Sequence, residues 1–113
     1  MKGQWINIYS GDLPLRSWWV DSGHECEYIS IVLPEVFGIN NWIRSFSEKL
    51  AAQNLPVLAI PLYGRTAPNL DLGYSEEDLK LGRHHKNLTT LKNIIEDVSA
   101  AINWVKEKYP KKK

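Results

Sequence analysis

Residues 28–41 read YISIVLPEVFGINN, and this stretch decides the fold class. The first six residues are almost continuously apolar, which is typical of a strand that a parallel sheet buries on both faces. Gly38 allows a tight turn after that strand, and Asn40 or Asn41 can then cap the start of a helix. The stretch therefore predicts a central strand over residues 28–33 that runs through a turn into a helix.

The residues that follow complete a strand–helix–strand unit. Apolar side chains recur at helical spacing until about Asn54, and residues 56–60 (PVLAI) form a second short apolar run. A helix between two buried strands indicates a right-handed crossover between parallel neighbours, which is the unit of α/β proteins. Upstream, residues 4–9 alternate in polarity and residues 15–20 predict another strand, with a turn at Gly11 between them. We expect an opening hairpin followed by the crossover.

The second half of the chain reads as a loop and then helices. Residues 61–74 contain several prolines and glycines, which predict a long surface loop. Ser75 can cap a helix, in which we expect a break near Gly82, and the main helix should run over residues 88–108. The apolar stripe of this main helix, which we expect to be buried, consists of Leu88, Leu91, Ile95, Val98, Ile102 and Val105.

The composition limits the class of protein. With 113 residues, 43% of them hydrophobic, the chain can form one domain, which we place at residues 1–110 with a basic tail at 111–113. The formal net charge is only +1, so neither nucleic acid nor an anionic membrane is an expected partner. The sequence shows no signal-peptide pattern, and the single Cys26 cannot form an internal disulfide, so we expect a cytoplasmic protein.

Candidate site residues follow the strand at residues 28–33, at the carboxyl end where ligands bind in open α/β sheets. Glu35 can act there as a base or as an electrostatic group, and Val36 can point its backbone N–H into the same crevice. Alternatively, Glu35 only complements the dipole of the following helix. The spacing of the residues leaves both interpretations open.

Two motifs resemble segments of the dienelactone hydrolase family of α/β-hydrolases. Residues 35–38 (EVFG) are similar to the family's Glu-Ile/Val-Phe-Gly segment, and residues 61–68 (PLYGRTAP) are similar to its Leu-Tyr-x-Arg-x-Ala-Pro loop. Residues 96–104 are similar to the helix that precedes the family's nucleophile strand. The resemblance implies the N-terminal part of an α/β-hydrolase fold, with a mostly parallel sheet of about four strands and flanking helices.

The resemblance also implies a reaction, the hydrolysis of esters or lactones by a Cys or Ser nucleophile. Asp and His complete the triad, and no cofactor or metal takes part. In the family, the residue that matches Glu35 pairs with the nucleophile, and the residue that matches Val36 donates its N–H to the oxyanion. The nucleophile elbow, the Asp and the His would all lie beyond residue 113.

Substrate-binding candidates come from the same resemblance. Tyr63 and Arg65 fall in the matching loop, next to where the substrate binds in the family. Lys80 and Arg83 fall near a basic group that binds a substrate carboxylate, but the alignment slips by several residues here, and a solvated helix face is the better explanation of these two residues.

Residues inside the chain are poor replacements for the missing catalytic groups. Cys26 lies between two glutamates, which oppose formation of the thiolate. Ser75 lacks the second glycine of a nucleophile elbow and suits a helix cap better. On a helix, His84 and His85 would point about 100° apart, so they cannot share a metal ion.

Three functional hypotheses remain. The chain is half of an ester or lactone hydrolase that needs a complementary C-terminal half, or it is a non-catalytic α/β domain that acts in association or small-molecule binding. The third hypothesis is an unrelated binding protein with a pocket at Glu35 and Tyr63. Because residues 28–33 carry no charge or proline to protect a sheet edge, we expect this strand to pair with the complementary half or with a second copy, or the chain to aggregate when it is made alone.

Overall fold

The computed structural model describes residues 2–23, 28–34, 37–63 and 70–109. Within these residues it contains four strands and three helices. The strands are β1 (Gln4–Ser10), β2 (Leu13–Val20), β3 (Ser30–Val32) and β4 (Val57–Ala59), and the helices are α1 (Asn41–Ala52), α2 (Glu76–Leu88) and α3 (Leu91–Lys108). No helix in these ranges is long and apolar enough to cross a membrane.

The four strands form one sheet in the order β1-β2-β4-β3. The predicted hairpin is confirmed, because β1 and β2 pair in antiparallel fashion from Gln4 opposite Trp19 to Ser10 opposite Leu13. The predicted crossover is confirmed too, because α1 connects β3 to β4 and these two strands pair in parallel. Since β2 runs antiparallel to both of its neighbours, β1, β3 and β4 point the same way and only β2 is reversed. Three of the four strands therefore run in one direction, but only one of the three strand pairs is parallel, so the described sheet is mixed.

The position of β3 confirms the expected open sheet edge, whereas the expectation of a central strand buried on both faces is not met within the described residues. Among the described strands β3 pairs only with β4, so it lies at the edge of the sheet, and all three of its residues are half-buried. The fully buried central strand is β4, which pairs with β2 on one side and β3 on the other. An apolar run shows that a strand is suited to burial. It does not show whether a neighbour for its second side lies within the same chain.

The two faces of the sheet are covered by different helices. Side chains alternate between faces along a strand, so Trp18 and Trp19 point in opposite directions. Trp19 belongs to the core under α3, together with Ile8, Leu58 and Ala101. On the other face, the guanidinium of Arg44 in α1 lies over the Trp18 ring, 6.0 Å from its centroid. The described elements therefore form three layers, with the sheet between α1 and α3.

Each helix begins at a polar cap. The side chains of Asn40, Ser75 and Thr90 accept hydrogen bonds from the backbone N–H three residues further on, in α1, α2 and α3 respectively. The break expected near Gly82 is wrong, because α2 continues through this buried glycine. The chain instead leaves the helical conformation at Thr89 and Thr90, where the side chain of Thr90 starts a new helix.

The apolar stripe predicted to be buried on the main helix is exposed at most of its positions, although Val105 is buried and Val98 packs against the core. Leu91 is 72% exposed, Ile95 56% and Ile102 40%, and Leu88 is the last residue of α2 instead of the first turn of α3. The buried residues of α3 are Asp97, Ala101 and Val105. Because Ala101 is small, it allows the helix to approach the sheet closely on that side. The exposed side chains have no cover among the described residues.

These burial assignments predict a contrast between two truncations. Leu58→Ala removes a fully buried side chain from the central strand and should lower the free energy of unfolding by about 2–5 kcal/mol. Ile102→Ala, in the exposed stripe, should lower it by about 1 kcal/mol or less. Urea unfolding monitored by circular dichroism measures both values, and equal losses would contradict the assignment of α3's buried face.

Candidate functional site

The candidate site lies at the carboxyl end of β3, where residues 37–40 turn the chain into α1. Gly38 has φ +77°, a left-handed conformation that favours glycine, and it forms an isolated bridge with Asp71. Next to this bridge, the Leu72 N–H donates to the carbonyl oxygen of Phe37 at 2.8 Å. Backbone contacts therefore hold the turn after β3 against the chain that leads to α2.

Asn40 connects three parts of this site and is only 4% exposed. Its Oδ1 accepts from the Ile43 N–H at 3.1 Å, which caps α1. Its Nδ2 donates to the Leu72 carbonyl oxygen at 2.9 Å and to the Tyr74 Oη at 3.2 Å. One buried amide thus fixes the start of α1 relative to residues 72–74. Loss of this amide would leave buried backbone groups without partners, which costs more than the net value of the bonds themselves.

Arg44 makes a second, more exposed connection between the same segments. Its Nη1 donates to the Ile39 carbonyl oxygen at 2.8 Å and to Asp71 Oδ2 at 2.9 Å. The Asp71 side chain is 46% exposed, so water screens this ion pair and it contributes about 1 kcal/mol at most. Its main effect is to orient Asp71 beside the turn at Gly38.

A groove of about 370 Å³ opens beside these contacts. Aromatic rings form most of its wall. Phe37 and Tyr74 meet edge to face with centroids 4.6 Å apart, and Trp42 and Phe46 stack at 5.2 Å with an interplanar angle of 8°. Leu33, which follows β3, completes the apolar wall. The described residues that line this groove, hereafter the aromatic groove, include no charged side chain.

A larger and more open groove, of about 760 Å³, lies elsewhere, between the opening hairpin and α3. It is lined by Tyr9, Ile95 and Trp104 among others, at the edge of the sheet opposite to β3. Its location makes it the weaker candidate, because open α/β sheets bind ligands at the carboxyl ends of parallel strands. The smaller aromatic groove is at such an end.

The predicted site residues fall into three groups. Glu35, Val36 and Arg65 lie outside the described residues. Tyr63 is described, and it is buried shortly after β4. The remaining two candidates, Lys80 and Arg83, are exposed on α2 and do not line the aromatic groove.

The other polar residues singled out by the sequence have structural roles. Ser75 caps α2, as expected of a helix cap. His84 and His85 are neighbours on α2, with ring centroids 5.3 Å apart in an edge-to-face contact. Within the described ranges, no three His, Cys, Asp or Glu side chains come together in a group that could hold a metal ion.

Sequence comparison decides the family. A sequence model of the dienelactone hydrolase family matches residues 26–113. The chain belongs to the dienelactone hydrolase family. A Synechocystis protein named "Putative carboxymethylenebutenolidase" is 34% identical to it over 76 residues, which make up 67% of this chain and 31% of that protein. The chain therefore spans about a third of the length of this curated relative.

Solved structures share the fold of this dienelactone hydrolase family member. A "Putative Dienelactone Hydrolase" from Klebsiella pneumoniae superposes with a TM-score of 0.77 at 19% identity, over 93% of this chain and 43% of that one. A dienelactone hydrolase from Anabaena variabilis superposes with a TM-score of 0.64 at 13% identity, over 100% of this chain and 50% of that one. At these identities the likeness shows the α/β-hydrolase fold alone. The chain corresponds to half or less of each structure.

The turn at Gly38 yields a prediction with a matched control. A Cβ on Gly38 would clash with the Leu70 carbonyl oxygen, whereas a Cβ on Gly11, which also has positive φ, would have no heavy atom within 4 Å. Gly11→Ala should therefore lower the free energy of unfolding by about 1–2 kcal/mol, because only the strain of the left-handed backbone is added. Gly38→Ala should lower the free energy of unfolding by about 3 kcal/mol or more, because the clash with rigid backbone adds to this strain. Urea unfolding of the two variants tests this, and equal costs would refute the described packing of Leu70 on Gly38.

Proposed function

We propose that this chain is the N-terminal portion of an ester or lactone hydrolase and that it supplies the oxyanion region of the active site. One observation carries the proposal. In a member of the dienelactone hydrolase family, the residues on either side of Glu35 and Val36 lie at the carboxyl end of a parallel strand and lead directly into α1. Catalytic groups in this class of fold occupy that position.

The proposed roles follow from the charges that develop in ester hydrolysis. When a Cys or Ser nucleophile attacks the carbonyl carbon, negative charge moves to the carbonyl oxygen, and the Val36 N–H donates a hydrogen bond to it. The N-terminus of α1 adds a favourable dipole at the same place. Glu35 pairs with the nucleophile before attack. The nucleophile, the Asp and the His come from polypeptide outside these 113 residues, either as a continuation of this chain or as another chain.

Substrate contacts are part of the same proposal. Tyr63 and Arg65 follow β4, the strand next to β3, in the sequence, so both are candidates for contacting a bound ester. Lys80 and Arg83 would take part if the substrate carries a carboxylate, because both are cationic and exposed on α2. Their exposure equally suits a solvated helix face.

The first test is complementation of activity. The isolated chain should hydrolyse 4-nitrophenyl acetate no faster than the protein-free buffer, because no activated nucleophile is proposed within it. Mixing it with the C-terminal segment of the Synechocystis relative should produce saturable turnover. Glu35→Ala should lower that turnover, and Cys26→Ser should leave it unchanged. If the isolated chain turns over substrate and Cys26→Ser abolishes that activity, the proposed division of the active site is wrong.

The unpaired edge of the sheet at β3 supports the proposal that the chain has a binding partner. In a parallel pair, alternate residues bond to the same neighbour. The Ser30 N–H donates to the Pro56 carbonyl oxygen and the Val32 carbonyl oxygen accepts from Ile60, so both residues face β4 and the N–H and C=O of Ile31 point to the open side. A strand added there would satisfy both groups of Ile31.

Exposed apolar side chains accompany this open edge. Tyr28 and Leu33, which flank β3, are both exposed. Each apolar side chain of this size contributes about 1.5–3 kcal/mol when it is fully buried. We therefore propose that the remaining portion of the family fold adds a strand beside β3. A homodimer through the same edge, which would make the chain an association domain, is the second candidate.

Association can be tested with charged variants at the two edges of the sheet. The double variant Tyr28→Lys and Leu33→Lys places charges beside β3 at exposed positions, so the chain should still fold while its association weakens by tenfold or more. Tyr9→Lys replaces an equally exposed ring on β1, at the opposite edge, and should have no effect. Light scattering over a dilution series, with and without the Synechocystis segment, measures the affinity.

The stoichiometry of the complex distinguishes the two candidates, and the Tyr9→Lys control tests whether the β3 edge is the interface. A one-to-one complex with the segment supports the split hydrolase, and a dimer of the chain alone supports the association domain. Loss of affinity in Tyr9→Lys, with none in the β3 variant, would contradict both candidates.

A further inference from the structure

Leu72 is held at both of its backbone groups by the turn that leads into α1. Its N–H donates to the Phe37 carbonyl oxygen at 2.8 Å, and its carbonyl oxygen accepts from Asn40 Nδ2 at 2.9 Å. Phe37 comes directly after Val36 in the sequence, so the first of these bonds acts on the residue next to the proposed oxyanion donor. Leu72 thus connects the side chain of Asn40 to the backbone beside Val36.

The side chain of Asn40 does more than a helix cap requires. A cap needs one oxygen, and Oδ1 supplies it to the Ile43 N–H. The two further bonds, to the Leu72 carbonyl oxygen and to Tyr74 Oη, need an N–H donor at the same position. Aspartate and serine also cap helices well, but an ionised aspartate has no donor, and serine has a shorter side chain with a single oxygen. Because Asn40 is buried, water has little access to replace the bonds that these residues would lose.

We propose that Asn40 is a positioning residue for the oxyanion region, because through Leu72 it holds Phe37 and with it the backbone that leads to the Val36 N–H. This inference rests on the proposed function, which assigns that N–H to the oxyanion. An oxyanion donor works only at hydrogen-bond distance from the place that the charged oxygen will occupy, so a small displacement of the donor slows the reaction. Asn40 has this effect without contacting the reacting atoms.

Two substitutions keep the cap of α1 and remove the bond to Leu72. Asn40→Ser is neutral and Asn40→Asp keeps the shape of the side chain, so the two variants differ in charge and share the loss of the Nδ2 donor. In the complex with the Synechocystis segment, both should lower kcat for 4-nitrophenyl acetate by about tenfold or more and leave KM within about twofold. Acylation and deacylation both pass through an oxyanion, so kcat falls whichever step limits it. Thr90→Asn, which exchanges the cap of α3, should change neither constant.

Hydrogen exchange on the chain alone tests the contact itself. In both Asn40 variants the Leu72 N–H should exchange about tenfold faster or more than in the unmodified chain, because Leu72 has lost one of its two anchors. The Ile43 N–H should keep its protection, because an oxygen that caps α1 remains. Thr90→Asn should leave both amides unchanged.

The outcomes separate this inference from the proposed function. No turnover in the unmodified complex would overturn the proposed function, and the positioning role of Asn40 with it. If the complex is active, a kcat that both variants leave within about twofold, or a rise in KM without a fall in kcat, overturns the positioning role alone. A loss of kcat confined to Asn40→Asp overturns it too, because the added charge then explains the loss. Equal loss of protection at Leu72 and Ile43 would likewise contradict it, because the substitutions would then have damaged the start of α1.

Discussion

The whole arrangement depends on the burial of β4. This short strand is hydrogen-bonded to β2 on one side and to β3 on the other, and its residues Val57, Leu58 and Ala59 are completely buried. Because β4 pairs with β2 of the hairpin and with β3, it joins the hairpin and the strand–helix–strand unit into one sheet. Since Leu58 enters the core under α3 and α1 packs against the same strand, β4 also holds the two helical layers in place. It therefore sets where β3 ends and where α1 begins.

The candidate site is a consequence of that pairing. Parallel strands bring their carboxyl ends to the same edge of the sheet, so the turn after β3 and the chain after β4 must meet there. They do meet: Gly38 bridges to Asp71, and Asn40 binds Leu72 and Tyr74. The aromatic groove lies against this meeting point, so its shape depends on the same few contacts. One buried amide, that of Asn40, thus links the start of α1 and the wall of the aromatic groove to residues 72–74.

Local patterns predicted much of this structure from the sequence. The alternation in residues 4–9, the apolar run at 56–60 and the caps at Asn40 and Ser75 each depend on interactions within a few residues, and the structure confirms them. The family motifs identified the fold as well. The contacts of the candidate site could not be predicted, because they join residues that are far apart in the sequence. The bonds from Asn40 span more than 30 residues, and no local pattern indicates them.

Two predictions about burial were wrong for a common reason. The apolar run at β3 and the stripe on α3 were both expected to be buried, yet the residues of β3 are only half-buried and Leu91, Ile95 and Ile102 are exposed. Hydrophobic periodicity reports which surfaces are suited to burial, whereas actual burial requires a covering element. Under the proposal made above, that element is the remainder of the hydrolase. The expected break at Gly82 failed differently, because a glycine weakens a helix by only about 1 kcal/mol and here it is buried.

Amide hydrogen exchange at β3 tests the central claim most directly. In the isolated chain, the Ser30 N–H, which donates to Pro56, should be protected, and the Ile31 N–H, which points to the open edge, should exchange as fast as an exposed loop amide. Adding the C-terminal segment of the Synechocystis relative should protect Ile31 and leave Ser30 unchanged. An Ile31 amide that is already protected in the monomer, or that stays unprotected in the complex, would contradict the account.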